Sequence, residues 1–265
     1  MTRDEIIAGA VQFTVESPGN YISEEAALDP GLAGMKIYDA PIFAFGAADD
    51  ELFIKYKETG VIGSSFMTPN EWLPGAKTVI SFFMPFTKRV KKANATNNDW
   101  PADEWLQARY EGQIFLQELT QYIQKQICDT GHVCLIPSLD RRFNVVDKYI
   151  PNWSERHAAY ACGLGTFGLS KGLITEKGMC GRYGSLLTDL IIEPTVRHYS
   201  DIYEYCNMCG ICIRKCPVNA ISKDGKDSSL CAAFLNKVHE KHDPRYGCGK
   251  CQVNVPCESG IPAGM

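Results

Sequence analysis

The feature that most constrains this chain is a run of four closely spaced cysteines followed by proline. Residues 206–217 are C-N-M-C-G-I-C-I-R-K-C-P, the C-x2-C-x2-C-x3-C-P spacing of bacterial ferredoxins. In this spacing the first three thiolates ligate one 4Fe-4S cluster, and the fourth ligates a second cluster. The proline then prevents the chain from winding back. The run therefore predicts a second set of cysteines elsewhere in the chain.

A second set of cysteines follows downstream, and it consists of Cys231, Cys248, Cys251 and Cys257. The last cysteine of each run serves the opposite cluster, which assigns two ligand sets. The first set is Cys206, Cys209, Cys212 and Cys257. The second set is Cys216, Cys231, Cys248 and Cys251. In the second run Val255 stands where a cysteine is expected, and Pro256 precedes the cysteine, so we predict a longer loop there.

Zinc and disulfide bonds fit this pattern less well than iron–sulfur clusters. A zinc site usually takes its four ligands from two separated C-x2-C knuckles, which leaves Cys212 without a role. Disulfides are typical of small secreted chains, whereas this chain has 265 residues and no signal-peptide segment. No stretch reaches the roughly 18 apolar residues that would span a bilayer. We therefore expect a soluble, cytoplasmic iron–sulfur protein that makes no membrane contact.

The net charge of −4 argues against a broad nucleic-acid surface, because such domains are usually basic. The one dense basic stretch is T-K-R-V-K-K at residues 87–92, and we interpret it as a solvated loop. The length and a hydrophobic content of 45% suffice for one large domain and one small one. We expect these domains to cover residues 1–200 and 201–265.

The first 200 residues alternate between helical and buried-strand patterns. Thr2 and Glu5 form a capping-box pattern, and a repeat of three and four residues marks a long amphipathic segment. Helices are predicted over 2–15, 49–59, 102–128 and 154–162, and buried strands over 78–84, 132–137 and 181–192. This alternation indicates an α/β or α+β protein rather than a helical bundle, and we adopt α+β.

The glycine-rich segment 163–168 matches G-x-G-x-x-G. A nicotinamide site would need this segment to follow a strand and open a helix, whereas here a helical pattern precedes it. Two interpretations stay open. The glycines form a tight turn packed against neighbours, or they let bare backbone approach a flat or anionic cofactor.

Several segments in chain order resemble the epoxyqueuosine reductase family. They are Leu73–Ser81 (L-P-G-A-K-T-V-I-S), Ala161–Gly168 (A-C-G-L-G-T-F-G), Gly184–Leu190 (G-S-L-L-T-D-L) and the cysteine-rich tail. The likeness covers nearly the whole chain. It implies a nitroreductase-like N-terminal domain that binds cobalamin, followed by a small bacterial ferredoxin-like domain with two 4Fe-4S clusters. The residues that would lie along the corrin pocket are Gly163, Gly165, Gly168, Gly184 and Ser185.

The resemblance also implies a reaction. The clusters would feed electrons to the corrinoid, which would reduce a substrate, as in the related reductive dehalogenases. An external donor of the ferredoxin or flavodoxin type would supply the electrons. Family members that act on tRNA usually continue with a helical-repeat extension, whereas this chain ends soon after Cys257. We therefore expect a small-molecule or nucleoside-like substrate in preference to tRNA.

The proton donor of the reaction is not evident from the motifs. The family places an aspartate in V-D-S-x-P before the glycines, and this chain lacks that string. The family spacing leads to Tyr149, with Asp147 nearby, and Asp140 is an alternative at a strand end. A phenol or carboxylic acid in a dry pocket can donate a proton because burial raises its pKa.

The segment W-S-E-R-H (153–157) offers further candidates for this role. His157 is a candidate for catalysis or cofactor binding, or else a core histidine with its hydrogen bonds satisfied. Glu155 is a second candidate acid, or else it pairs with Arg156 across the helix start. Beside a reductase, two further functions fit the sequence: an electron-transfer or corrinoid-reactivating protein without its own substrate, and a reductase that uses FMN.

Overall fold

The computed structural model describes residues 1–146 and 149–263, which form an α+β fold. The helices are α1 (Arg3–Glu16), α2 (Glu51–Lys55), α3 (Pro69–Trp72), α4 (Lys88–Asn94), α5 (Asp103–Asp129), α6 (Glu155–Cys162), α7 (Ile211–Arg214) and α8 (Ser228–His242). The strands are β1 (Ile42–Ala47), β2 (Thr78–Pro85), β3 (Cys134–Leu135), β4 (Val145–Val146), β5 (Ile150–Pro151), β6 (Gly165–Phe167), β7 (Leu173–Thr175), β8 (Gly181–Thr188), β9 (Ile221–Ser222) and β10 (Gly225–Lys226). Among the helices described, none is both long and apolar enough to cross a membrane.

The central element is an antiparallel sheet with the strand order β1-β2-β8-β3. Every residue of β2 is buried, which confirms the prediction of a strand buried on both faces. Its β-branched and aromatic side chains suit this position, because both faces of the sheet are covered. The register pairs Ser81 with Ser185 and Phe82 with Gly184. This register fixes which residues of β8 face each side of the sheet.

Alternate residues of β2 enter two different cores, because successive side chains of a strand point to opposite faces. Ile80 and Phe82 pack in the core formed with α1 and α5. Val79 packs on the other face, where the small residues Ala158 and Ala159 of α6 bring that helix close to the sheet. The sheet is therefore enclosed between the long α5 and the short α6.

Helices α1 and α5 occur close to where the sequence predicts them. The capping box of α1 is present: the Glu5 amide donates to Thr2 Oγ1 at 3.3 Å, and the Thr2 amide donates to Glu5 Oε2 at 2.7 Å. Helix α5 has 27 residues and buries an apolar stripe that includes Leu119 and Ile123. A capping box and a helical apolar repeat are local signals, so they can be recognised without knowledge of the fold.

Three predicted elements are shorter than expected, and one of them is the strand predicted over 132–137, which is only Cys134–Leu135. The helix predicted over 49–59 is only Glu51–Lys55, because the Tyr56 carbonyl accepts hydrogen bonds from the Ile62 and Gly63 amides and turns the chain. The strand predicted over 181–192 ends at Thr188. Beyond it, hydrogen bonds to a side chain replace backbone pairing: the Thr78 hydroxyl donates to the Leu190 carbonyl at 2.7 Å and accepts from the Ile192 amide at 3.1 Å.

The prediction that residues 87–92 form a solvated loop is wrong, because this basic stretch forms most of α4. Val90 and Asn94 lie on one face of this helix, and both are buried. The Asn94 amide donates to the Cys248 carbonyl at 2.9 Å, and the Lys250 ammonium donates to the Asn94 carbonyl at 2.8 Å. Contacts with the cysteine-rich region, distant in sequence, therefore stabilise this helix.

We expect Gly249→Ala to destabilise the protein strongly. Gly249 has φ +64°, and a Cβ there would lie 1.8 Å from Trp105 Cζ2. The left-handed conformation costs alanine about 1–2 kcal/mol, and relief of the overlap adds about 1–3 kcal/mol. Gly75→Ala is the matched control, since Gly75 has φ +86° and open space around its Cβ position. Thermal unfolding of both variants measures the difference, and equal losses would contradict the packing argument.

Candidate functional site

Eight cysteines of the C-terminal region line two separate cavities, and all eight are free thiols. The first cysteine cavity is lined by Cys206, Cys209, Cys212 and Cys257. The second cysteine cavity is lined by Cys216, Cys231, Cys248 and Cys251. These two groups are the ligand sets that the ferredoxin spacing rule assigns to two clusters.

Residues with a left-handed backbone conformation turn the chain around the first cysteine cavity. Met208 has φ +53° and Gly210 has φ +69°, and each turns the chain between two of the cysteines. Gly210 directly precedes α7, on which Cys212 is buried. Gly168 and Met179 contribute to the wall of the cavity from the part of the chain before the cysteine run.

Cys257 reaches the first cysteine cavity because its segment docks on residues 178–180. The Met179 amide donates to the Cys257 carbonyl at 3.0 Å, and the Cys180 amide donates to the Glu258 carbonyl at 3.2 Å. Gly178 makes room for this contact, since a Cβ there would lie 2.3 Å from the Glu258 oxygen. The longer loop after Val255 is therefore anchored by backbone hydrogen bonds.

The second cysteine cavity has a volume of about 170 Å³. Cys231 lies on α8, while Cys248 and Cys251 flank the left-handed Gly249 and the buried Lys250. The two cavities are close neighbours, because Leu169 and Ile221 form one apolar cluster that contains Cys212 and contacts Cys216. A thiol of each group therefore packs against the same side chains.

Four of these thiol groups sit in buried surroundings that disfavour thiolate, and they are Cys212, Cys248, Cys251 and Cys257. Burial raises the pKa of Cys248 to about 12 and the pKa of Cys257 to about 12. Because thiolate is the form that binds metals, these side chains need a cationic centre beside them to lose their protons. In the described part of the chain, no three Cys, His, Asp or Glu side chains are close enough to share one metal ion.

A third cavity, of about 390 Å³, lies beside α6 and β8, and we call it the Glu155 cavity. The Ser185 hydroxyl donates to Glu155 Oε2 at 2.5 Å, and Trp153 Nε1 donates to Ser185 Oγ at 2.9 Å. Glu155 Oε1 has no exposed surface and no hydrogen-bond partner among the described residues. Burial raises the pKa of Glu155 to about 7, against the opposing effects of the Ser185 hydrogen bond and the Arg182 charge.

The Glu155 cavity and the second cysteine cavity share part of their walls. Arg182 and Tyr246 line both of them. Arg182 donates to Gln113 Oε1, while its Nε has no partner in the described structure. Burial and the neighbouring Arg109 lower the pKa of Arg182 to about 9, so its guanidinium still carries a charge at neutral pH. Arg109 lines the second cysteine cavity and donates to the Tyr246 hydroxyl at 2.9 Å.

Of the other predicted acids, Tyr149 and Asp140 line none of these three cavities. Tyr149 is 54% exposed, which is not the dry pocket that a phenolic donor needs. Asp147 lies outside the described residues. Asp140 accepts hydrogen bonds from Arg142, which lower its pKa to about 2, so it is ionised at neutral pH.

His157 has the surroundings of a core histidine. Its Nδ1 lies 2.7 Å from Ser154 Oγ, and its ring packs 5.1 Å from the Tyr56 ring and 5.0 Å from the Phe167 ring. Burial lowers the pKa of His157 to about 4, so the ring is neutral at neutral pH. His157 lines none of the three cavities, and its catalytic role stays a prediction.

The five predicted corrin-pocket residues occupy three different settings. Gly163 ends α6 with φ +99°, and Gly165 pairs so closely with β7 that a Cβ would lie 1.9 Å from the Ile174 oxygen. Gly168 lines the first cysteine cavity. Gly184 lines the Glu155 cavity, and Ser185 hydrogen-bonds to Glu155. Of the five, only Gly184 lines the Glu155 cavity, and Ser185 is linked to that cavity by its hydrogen bond to Glu155.

The predicted pair of Glu155 and Arg156 does not form. Arg156 donates instead to the Lys171 carbonyl, and Glu155 turns toward β8. Arg182 was not predicted as part of the site. Its only local signal is a charged residue in an otherwise apolar strand, which is weak until the fold shows what lies beside it.

Comparison with known proteins links this geometry to iron–sulfur reductases. Residues 199–222 match the model of the 4Fe-4S binding domain. An epoxyqueuosine reductase from Leadbetterella byssophila is 28% identical over 156 residues, which are 54% of this chain and 46% of that protein. The predicted similarity to this family is confirmed, and the chain spans about half the length of this curated relative.

Solved structures show the same fold. An epoxyqueuosine reductase with an epoxyqueuosine-modified tRNA-Tyr stem loop has a TM-score of 0.54 and 19% identity, over 84% of this chain and 62% of that one. A reductive dehalogenase whose structure suggests a mechanism for B12-dependent dehalogenation has a TM-score of 0.55 and 14% identity. It covers 84% of this chain and 30% of that one.

Proposed function

We propose that this chain is an iron–sulfur reductase in which each group of four cysteines holds a 4Fe-4S cluster. Electrons would pass from there to a corrinoid beside the Glu155 cavity, where a substrate is reduced. The observation that carries the proposal is the shared wall formed by Arg182 and Tyr246. Because these side chains line both cavities, an electron at the second cysteine cavity has little protein to cross before it reaches the Glu155 cavity.

The Glu155 cavity suits a small polar ligand. Its volume of about 390 Å³ lies within the range of small-molecule sites. Glu155 Oε1 and Arg182 Nε lack partners in the described structure, and buried polar atoms without a partner are costly unless a ligand satisfies them. We propose Gly184 and Ser185 as the residues that contact a corrinoid, which is larger than this cavity and would adjoin it. When bound, a corrinoid would supply a cobalt centre that accepts and donates electrons.

Glu155 is our candidate for the proton donor. A pKa of about 7 leaves much of the carboxyl protonated at neutral pH, which is the condition for general acid catalysis. Ser185 fixes its orientation by donating to Oε2, so that Oε1 carries the proton toward the cavity. The charged Arg182 can stabilise negative charge that develops on an oxygen or a halide as a bond to carbon breaks.

Further features of the proposal follow from the resemblance and from the chemistry of the site. The N-terminal region, near residues 1–200, would be the nitroreductase-like part, and residues 201–265 the ferredoxin-like part. The substrate would be a small molecule or a nucleoside, and the epoxide-bearing nucleoside is the first to test. We propose a location in the reducing cytoplasm, which would suit the free thiols and oxygen-sensitive clusters.

The metal content of anaerobically purified protein tests the proposal. We expect about eight iron atoms per chain, from two clusters of four, and about one corrinoid after incubation with cobalamin. Iron, sulfide and cobalt analyses and the visible spectrum measure both. Iron without corrinoid binding would refute the reductase and favour an electron-transfer protein. Iron near four atoms per chain would refute the proposal of two clusters.

A further inference from the structure

A basic groove lies between α4 and the C-terminal segment, and we call it the lysine groove. Lys88, Lys91 and Lys92 line one side, and Asn254, Pro256 and Glu258 line the other. Its volume is about 530 Å³. Lys88 and Lys92 are exposed, while Lys91 donates from its ammonium to Ser259 Oγ at 2.9 Å. Lys91 therefore links α4 to the C-terminal segment, and the charges of Lys88 and Lys92 are exposed to a partner.

The lysine groove and the first cysteine cavity share part of a wall. Ile211 and Val255 line the groove. Both belong to the apolar cluster that contacts Cys206 and Cys257, and Val255 lines the first cysteine cavity itself. One layer of side chains thus separates the open groove from two thiols of that cavity.

The two cysteine cavities and the Glu155 cavity continue from this groove in a series. Leu169 and Ile221 connect the two groups of cysteines, and Arg182 and Tyr246 connect the second group to the Glu155 cavity. The lysine groove lies at the end of this series that is farther from the substrate. It is therefore the place where electrons would enter.

The charge of the groove contrasts with that of the whole chain. The chain has a net charge of −4, whereas three lysines and one glutamate line the groove. An acidic protein would be repelled by most of the surface and attracted here, which steers its encounter toward the groove.

We propose that the lysine groove docks a small acidic one-electron carrier protein of the ferredoxin or flavodoxin type. This inference rests on the proposed function, because the electron goes to the cluster of the first cysteine group. The carrier is oxidised by one electron and the cluster is reduced by one, and no bond forms or breaks. Single-stranded RNA is the less favoured occupant, because the lining has none of the aromatic side chains on which bases stack.

The test is the rate at which a reduced acidic flavodoxin or ferredoxin reduces the iron–sulfur protein in anaerobic stopped-flow experiments. Lys88→Glu with Lys92→Glu should lower the second-order rate constant at least tenfold at low salt. The loss should shrink as salt rises, because surface charges are screened beyond about 10 Å at 0.1 M ionic strength. The corresponding double substitution to glutamine should give an intermediate rate.

The control variant carries the same change of charge elsewhere. Lys55 and Lys77 are exposed, and Lys55→Glu with Lys77→Glu should leave the rate within about twofold of the wild type. Dithionite should reduce all variants alike, which together with unchanged iron content separates this inference from the proposed function. A protein without reducible clusters would refute the proposed function instead.

Three results would overturn the docking proposal. The first is an equal rate for the groove and control variants. The second is that neither the flavodoxin nor the ferredoxin reduces the wild-type protein, whereas dithionite does. The third is weaker tRNA binding by the groove variant with no change in the carrier rate, which would identify the groove as an RNA surface.

Discussion

Cys216→Ser should remove about four of the expected eight iron atoms and leave the cluster of the first cysteine group intact. Cys216 follows Cys212 by four residues, yet it lines the other cavity, together with Cys231, Cys248 and Cys251. Cys212 lies on the short α7, and Cys216 follows two residues after this helix ends, where the chain has reached the other cavity. Iron and sulfide analyses, with EPR of the reduced protein, measure the loss. Cys128→Ser is the control, since Cys128 is exposed and lines neither cavity.

Double variants show which cysteines share a cluster. If the groups are as the cavities indicate, Cys216→Ser with Cys231→Ser removes the same cluster twice, and about four iron atoms remain. Cys216→Ser with Cys257→Ser removes both clusters, so little iron remains. If the four consecutive cysteines formed one ligand set instead, Cys231 would belong to a different cluster from Cys216. The first double variant would then lose both clusters and retain little iron. The iron content of the first double variant therefore decides between the two arrangements, and the second double variant, which loses both clusters in either arrangement, is its control.

The cysteines that line each cavity are those that the ferredoxin spacing puts in one group, because that spacing follows the size of a 4Fe-4S cluster; their binding of clusters stays a prediction. The buried strand β2 and the helix α5 could also be predicted, since their apolar patterns are local. Helix α4 could not. Its four basic residues resemble a solvated loop, and the contacts that stabilise it come from Cys248 and Lys250, far along the chain.

The Glu155 cavity escaped prediction for a related reason. A local interpretation pairs Glu155 with Arg156, yet adjacent residues of a helix point in different directions. The partner of Glu155 is Ser185, 30 residues away, which the pairing of β2 with β8 and the packing of α6 bring beside it. A pKa shift caused by burial depends on such packing, so composition and motifs carry no sign of it.

Glu155→Gln should lower the rate of substrate reduction by about 10²- to 10⁴-fold, the usual contribution of a general acid. Glutamine keeps the size of the side chain and can still accept the Ser185 hydrogen bond, so iron and corrinoid contents should not change. Epoxyqueuosine nucleoside is the first substrate to assay. Glu193→Gln is the control, because Glu193 is exposed, and it should leave the rate unchanged. A variant with the full rate would exclude Glu155 as the acid.

The pH dependence gives a second test of Glu155 that needs no substrate. Its pKa is raised to about 7 from an ordinary value of 4.5, so the folded protein holds this proton more tightly than the unfolded chain does. The resulting stability is fully present below about pH 4.5 and is lost as pH rises through about 7. Thermal unfolding of the wild type should therefore show this decline, whereas Glu155→Gln should not.

Ser185→Ala separates a positioning role from a structural one. The Ser185 hydroxyl favours the ionised carboxylate by donating to it, so its loss should raise the pKa of Glu155 further. The upper limb of the pH–rate profile, where a general acid loses its proton, should then move to higher pH. If Glu155 only fills space, the profile of Ser185→Ala will coincide with that of the wild type. The carboxyl of Glu155 would be identified as the group that donates the proton by two results together: the upper limb shifts in Ser185→Ala, and this limb is absent in Glu155→Gln.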